Sequence, residues 1–462
     1  MRNNKGLLNN LDWVLILIYF LLVSIGLLTI YSVAYNEENT SLFSFSEKYG
    51  KQFFFVLIAL FCGFIIFLID ADIYKKFAVP IYFSVIFMLL LVLFMPPING
   101  ARSWIGLGPF GIQPAEFAKI ASALLLSKYL SSIDLKHQDS KKLFFALSIL
   151  FLPMGLILLQ PDAGTFLVFT SFLFVFYREG VSFDPFFLFF INKLLRLNYK
   201  RTWIGVHFIP IAFIFIVLAL LALLSNSYVF NFFSYKINGF YLLILCLFLF
   251  CTCFGFIFYQ FGNKRARKNS IIAVSIAFVL AGIVVSTVHL GFNKLASHQK
   301  NRIELFLGIK SDPDGQDYNR NRAMAAVGSG GFYGKGYKNA SVSSVKTNHV
   351  PESETDFIFC PFAEEWGFIG SAFLLFLFLA LIVRIIIIAE RQRSSFNRIY
   401  AYCVAMILFY HLTINIGMNI GFAPIIGIPL PFFSYGGSSI LSFTIMLFLL
   451  LKLDSQRMNA LS

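Results

Sequence analysis

Charge is scarce in this chain: 13% of its 462 residues are charged and 58% are hydrophobic. A soluble domain carries about a quarter charged residues, and a chain of this length could not cover itself in water with so few. A soluble globular fold is therefore excluded, and residues 1–462 read as a single membrane domain. Cysteine is sparse too. Cys62, Cys246, Cys251, Cys253, Cys360 and Cys403 all lie in or at the ends of apolar runs. Cys251-x-Cys253 lacks the spacing of a zinc site, so these thiols read as small packed hydrophobes. Acidic residues are outnumbered, 23 against 37 Lys and Arg, which leaves a net charge of +14. In a soluble protein such an excess points to nucleic acid; in a membrane protein the positive-inside rule has first claim on it.

Phenylalanine is abundant, at 59 residues. Apolar runs near the ~20 residues needed to span a bilayer begin at about Trp13, Phe53, Phe77, Phe117, Leu143, Ala163, Ile204, Phe240, Ile271, Phe357, Ile399 and Gly437. Ser32-Val33-Ala34 resembles a signal-peptide cleavage site, yet the run before it is too long for a signal sequence and reads as an uncleaved helix. The pattern predicts an all-α polytopic membrane protein of about twelve spans. With the N-terminus inside, most Lys and Arg fall on inner segments and the short outer connections are nearly free of them, so no nucleic-acid partner is needed. Two inner segments are notably basic: Asp184 to Arg201, suited to an anionic leaflet, and Lys264 to Lys268, read as a tight turn. The one long extracytoplasmic stretch is 291–355.

Four stretches break the apolar pattern, and all fall on the outer side. The first runs from Gly100 to Lys119. In it Pro114 fits the first turn of a helix, Glu116 suits the positive dipole end, and Lys119 sits about one turn into a membrane helix. A cation there needs a partner: it contacts a ligand, pairs with Glu116, or snorkels to the interface. Arg102 beside Trp104 is equally an interfacial anchor or a binding group. The second, Gln160-Pro-Asp-Ala-Gly164, is a turn in which Asp162 suits a helix N-terminus. The third is the long loop. Gly328-Ser-Gly-Gly-Phe-Tyr-Gly-Lys-Gly336 resembles a phosphate loop but fails the Walker pattern at Ser329 and Gly336. Asp312-Pro-Asp-Gly-Gln-Asp317 reads as a plain turn, because Asp317 stands where a calcium loop needs glycine. The loop ends in the densest carboxylate cluster of the chain, with Glu352, Glu354 and Asp356 ahead of an apolar run and Glu364-Glu365 just inside it. Ser353-x-x-Asp356 matches a capping box. A helix N-terminus also favours an ionised Asp356, able to act as general base on a sugar hydroxyl. The fourth stretch, Ile428-Pro-Leu-Pro-Phe-Phe-Ser-Tyr-Gly-Gly-Ser-Ser439, cannot continue a helix. Irregular backbone at membrane depth must line protein or a watery cavity, which makes Ser434 and Ser438 candidates beside it. Cations and carboxylates at one outer cavity suit a lipid-linked anionic substrate.

Together these stretches resemble the SEDS family (shape, elongation, division and sporulation). The matches are Gly100-Ala-Arg-Ser-Trp-Ile105, Gln113-Pro-Ala-Glu-Phe-Ala-Lys119, Gln160-Pro-Asp-Ala-Gly-Thr165, Gly328-Ser-Gly-Gly331 with Gly334-Lys-Gly336, Pro351-Glu-Ser-Glu-Thr-Asp-Phe-Ile-Phe359 and Pro429-Leu-Pro-Phe-Phe-Ser-Tyr-Gly-Gly-Ser-Ser439. They occur in family order over nearly the whole chain, and Pro429-Leu-Pro is more like the elongation branch than the division branch. The resemblance implies a peptidoglycan glycosyltransferase that polymerises lipid II at the outer face of the bacterial cytoplasmic membrane. It implies a class B penicillin-binding protein as transpeptidase partner, alongside other elongation-complex membrane proteins and membrane lipid. Asp356 matches the family's essential loop aspartate; Arg102 and Lys119 match basic positions for the donor's diphosphate; Glu116 and Asp162 match polar positions near that cavity. Trp104, Glu352, Ser434 and Ser438 join them as substrate-binding candidates. A divalent cation, Mg or Mn, is compatible with the resemblance, but the sequence shows no ligand set for one. The family has about ten helices, so the surplus pair is expected at 204–260; Ala115 stands where a serine is common. A lipid II flippase and a non-catalytic scaffold are the alternative functions. A flippase needs polar groups through to the inner side, whereas the helix-embedded charges here cluster at the outer end.

Overall fold

The computed structural model describes residues 11–35, 47–97, 102–106, 111–133, 140–183, 207–227, 229–232, 235–261, 264–294, 300, 304, 318–343, 350, 352–423 and 425–457. The basic segment 184–201 and the Asp312 turn lie outside the described residues. The chain forms two compact units, Met1–Thr202 with Asn319–Ser462, and Trp203–Tyr318.

In the first unit the helices are α1 (Trp13–Val33), α2 (Lys48–Leu68), α3 (Ala71–Val92), α4 (Pro114–Ser132), α5 (Ser140–Leu159), α6 (Ala163–Phe169) and α7 (Phe172–Arg178). In the second they are α8 (Phe208–Ser227), α9 (Gly239–Phe261) and α10 (Lys264–Lys294). α11 (Tyr318–Ser329), α12 (Phe359–Glu390), α13 (Ser395–Asn419) and α14 (Gly437–Ser455) return to the first unit. Among the described residues, eight helices are long and apolar enough to cross a membrane. The twelve expected spans each fall on one of these or on a shorter or less apolar neighbour: α4, the α6–α7 pair, α8 and the second half of α10. The all-α expectation holds with one addition. Strands β1 (Val229–Phe232) and β2 (Tyr235–Asn238) pair antiparallel, with Val229 opposite Asn238, and join α8 to α9. Lys264 to Lys268 was expected as a turn and instead opens α10.

Local signals set the helix starts. Asp12 caps α1 by accepting from the Leu15 amide at 3.0 Å. Pro114 opens α4 with Glu116 in its first turn, as its missing N–H and fixed φ suit that place. α13 and α14 form the buried centre of the first unit, with α4, α2 and α12 packed against them. One end of this bundle is tied by ions. Arg391 bonds both Asp12 (2.8 Å) and Asp454 (3.0 Å from its Nε), Arg384 also reaches Asp12 (3.0 Å), and Arg398 reaches Glu179 (2.7 Å). This is the end that the basic residues assign to the inner side. The opposite end carries the irregular segments and the carboxylates.

The glycine-rich segment has a packing role. α12 kinks at Gly367 (φ 63°, ψ −160°), and residues 330–336 dock there backbone to backbone. Lys335 and Gly336 amides donate to the carbonyls of Glu364 and Glu365 at 3.0 Å each, and the Phe368 amide donates back to Gly331. A Cβ on Gly334 would stand 2.1 Å from the Glu365 carbonyl, so only glycine fits at its φ of +81°. Glu364 locks the same segment from its side chain, accepting from Lys335 Nζ (2.6 Å), the Ser341 and Val342 amides (2.9 Å each) and Ser343 (2.9 Å from N). Those glycines and that carboxylate hold a wall of the outer end.

Candidate active site

Asp356 lies in a run of turns, 352–358, ahead of α12. The expected capping box does not form. Ile358 is the N-cap and no side chain caps it. Glu352 adopts a left-handed φ of 56°, and the Thr355 and Phe357 amides both fold back onto its carbonyl at 3.1 and 3.3 Å. This reversal takes the chain out of the extended geometry a cap needs, and the Asp356 carboxyl lies against Gly427 instead. It also brings the Glu352 and Asp356 side chains into hydrogen-bond contact.

The charge state differs from the sequence expectation in the same way. Burial is the largest influence on Asp356, followed by the negative charges of Glu352 and Asp162, and together they raise its pKa from 3.8 to about 7. A helix terminus would have lowered it; the turn has moved Asp356 off that terminus. Near neutrality Asp356 is therefore poised between its protonated and ionised forms.

The irregular segment after α13 forms the floor beneath this carboxyl. Gly427, at φ +65°, lies so close that a Cβ there would stand 3.2 Å from Asp356 Oδ2. On the neighbouring helix, a Cβ on Gly164 would meet the Ile426 carbonyl at 2.7 Å. The start of α6 therefore packs on the same strip of backbone, and that start is capped by Asp162, which accepts from the Thr165 amide at 2.9 Å. Asp162 Oδ2 also accepts from Gln113 Nε2 at 3.1 Å. Ser438 bridges Gln113 N and the Gly111 carbonyl, both at 3.1 Å. Ser434 Oγ accepts from the Leu430 amide at 2.8 Å. Both serines are buried and brace the floor.

Behind the floor is a sealed polar cluster. Lys119 Nζ donates to Glu116 at 2.9 Å and to His411 Nε2 at 2.8 Å, and it lies 4.7 Å from the Phe443 ring centre. Glu116 accepts a second bond from Ser442 (2.9 Å), and His411 Nδ1 donates to the Pro429 carbonyl at 3.1 Å. Lys119 is 1% exposed. The Glu116 pair, one of the readings the sequence left open, is formed.

Asp356 is thus brought within electrostatic reach of Glu352 and Asp162, with Ser438 joined to Asp162 through Gln113, and Lys119 and Glu116 one layer deeper. Arg102 and Trp104 precede Ile105, which pairs antiparallel with Ile112 next to Gln113. Arg102 is exposed and donates to the Leu93 carbonyl at 3.0 Å beyond the end of α3, and Trp104 is 36% exposed on the same outer face. Sequence reasoning missed Gln52, which donates to Ser434 O (3.3 Å) and accepts from the Gly436 amide (3.0 Å). It also missed a polar stripe on α13: His411, Asn415 and Asn419, spaced i, i+4, i+8. That spacing inside an apolar run was the available signal. Asn415 Nδ2 donates to the Asp356 carbonyl (2.8 Å) and the Ile428 carbonyl (2.7 Å), and Asn419 Nδ2 donates to Asn415 Oδ1 (3.2 Å). Among the described residues no three His, Cys, Asp or Glu side chains are grouped as a metal ion requires.

A family model described as a cell cycle protein and named for FtsW, RodA and SpoVE matches residues 12–207 and 246–459. The chain is 30% identical over 454 residues to the peptidoglycan glycosyltransferase RodA of Treponema pallidum, covering 97% of this chain and 99% of that protein. It is 29% identical over 375 residues to the peptidoglycan glycosyltransferase MrdB of Escherichia coli, covering 81% and 76% of the two chains. A solved chain of a peptidoglycan synthase complex that coordinates polymerization and crosslinking shares the fold, with a TM-score of 0.65, 22% identity, and coverage of 97% of this chain and 98% of that one. The match spans the membrane helices, the Asp356 turn and the irregular segment alike, and the chain belongs to the FtsW, RodA and SpoVE family.

Proposed function

We propose that this multi-pass membrane protein is a peptidoglycan glycosyltransferase that polymerises lipid II at the outer face of the bacterial cytoplasmic membrane, with its N-terminus inside and Asp356 as general base. The observation that carries the reading of the base is the carboxyl pair of Asp356 and Glu352 beside Asp162, at the mouth of an irregular segment in the membrane. In the ionised form Asp356 accepts the proton of the acceptor sugar hydroxyl. That oxygen forms the new glycosidic bond to the donor's anomeric carbon. The bond from that carbon to the diphosphate oxygen breaks, and its electron pair leaves with the lipid diphosphate. Arg102 is exposed on the same face and suits the diphosphate charge; Trp104 beside it offers an apolar face to lipid or sugar. Lys119 and Glu116, buried as a pair, support the floor through His411. No step is routed through a divalent cation, because the described residues supply no set of donors for one.

The partner that fits is a class B penicillin-binding protein, whose transpeptidation would crosslink the strands formed here, with other elongation-complex membrane proteins around the pair. The family match leaves 208–245 unmatched, which supports reading 204–260 as the added hairpin.

A pH–rate profile tests the base. Only ionised Asp356 accepts a proton, so polymerisation by purified protein is expected to rise with pH through about 7 and level off above it. A rate that stays level, or falls, as pH rises through this window contradicts the assignment.

A further inference from the structure

We propose that Asn415 is a positioning residue for the base, a clamp that fixes the Asp356 turn on the cavity floor. This rests on the reading of Asp356 as general base.

Asn415 lies fully buried on α13, within the membrane part of the bundle. An asparagine amide has two N–H donors and one carbonyl acceptor, and here all are used. One donor holds the backbone carbonyl of Asp356 at 2.8 Å and the other holds the carbonyl of Ile428 at 2.7 Å. Its Oδ1 accepts from Asn419 at 3.2 Å, and Asn419 Nδ2 also donates to the Asn415 backbone carbonyl at 2.7 Å. The two carbonyls belong to segments that no regular ladder joins: the turn before α12 and the strip after α13. Both sit at the position where Gly427 meets the Asp356 carboxyl. The clamp sets the height of that carboxyl over the floor, and so its distance from Glu352 on its own turn and from Asp162 at the start of α6. The side chains α13 turns toward this turn, Asn415 and Asn419, are uncharged, and the charges acting on Asp356 are those of Glu352 and Asp162. Asn is required by type. Aspartate cannot donate to two carbonyls, and leucine of similar size takes this donor from the Ile428 carbonyl and leaves the Asp356 carbonyl with the longer Asn419 bond of 3.4 Å.

The test compares purified full-length Asn415→Ala with wild type, using lipid II as substrate. A base displaced by about an ångström costs on the order of 100-fold in rate. Expected is a fall in kcat of about that size with KM for lipid II within about threefold, and a thermal midpoint near wild type. The acid limb of the pH profile should move to lower pH, because the freed turn lets water reach Asp356 and separates it from Glu352 and Asp162. Combined with Asp356→Asn, the substitution should add no further loss. If Asn415→Ala does not yield folded protein, Asn415→Ser, which keeps one donor, takes its place with a loss of about tenfold. Wild-type kcat, a change confined to KM, or a loss matched by the fraction of unfolded protein overturns the clamp. Full activity of Asp356→Asn alone overturns the base itself; an inactive Asp356→Asn beside a wild-type Asn415→Ala overturns only the clamp.

Discussion

Asp356→Asn should abolish most glycan polymerisation while making the protein more stable. The substitution keeps size and hydrogen-bonding capacity beside Glu352 and removes only the ability to accept a proton. Loss of a general base costs about 10²- to 10⁴-fold, and the lower bound would already be plain in a gel of glycan products. The stability change has the opposite sign. The folded pKa of Asp356, about 7, lies above its ordinary 3.8, so between those values the folded state binds the proton that the unfolded state has lost. Stability therefore falls as pH rises from about 4 to about 7, and the whole penalty is present above 7. At about 1.4 kcal/mol per pKa unit this gives a ceiling of about 4 kcal/mol; partial exposure of the side chain reduces it. Asparagine escapes the penalty. Thermal midpoints in detergent at pH 8 should be higher for Asp356→Asn, and the gap should close near pH 4. A variant that loses activity and stability together would mean that Asp356 holds the turn and does not act as the base.

The second large effect concerns the sealed cluster. Lys119→Met leaves Glu116 buried, 3% exposed, with Ser442 as its remaining donor. Breaking a buried pair from one side costs about 3–5 kcal/mol, and the loss is expected as a fall in denaturation midpoint and in yield of folded protein. The double variant Lys119→Met with Glu116→Gln removes both charges and should regain most of that stability. Because Lys119 is hydrogen-bonded to the floor through His411 and Pro429, the double variant should also regain measurable polymerisation. A double variant that folds as wild type and shows no activity would place the Lys119 ammonium on substrate instead.

Much of this was legible in the sequence because membranes simplify the problem. Backbone groups in lipid must be satisfied within a helix, so apolar runs mark spans, and Pro429, Pro431 and the Gly436-Gly437 pair mark the one place near the centre where a helix cannot continue. The Asp356 cluster was equally visible as carboxylates at a helix mouth. Its charge state was not. Ser353-x-x-Asp356 carries the capping pattern, and only the left-handed Glu352 shows that the turn overrides it. The stripe His411, Asn415 and Asn419 of α13 was readable at i, i+4 and i+8, but its asparagines carry no charge, so a search for charged residues passed over them. Gln52, Glu364 and Glu365 serve partners hundreds or tens of residues away, and no local pattern encodes those. The glycines of 328–336 fail the Walker pattern in the sequence, and their purpose, a backbone-to-backbone approach at the Gly367 kink, needs the packed structure to be seen.

The most direct test is sidedness. The purified protein is reconstituted into vesicles in a known orientation, and lipid II is supplied from one side only. Expected are glycan strands when lipid II is presented on the face that carries Asp356, with no need for the lipid to cross the bilayer, and none from that face with Asp356→Asn. Lipid II that crosses the bilayer without being polymerised, or strands formed from the opposite face alone, would contradict a polymerase working at the outer surface.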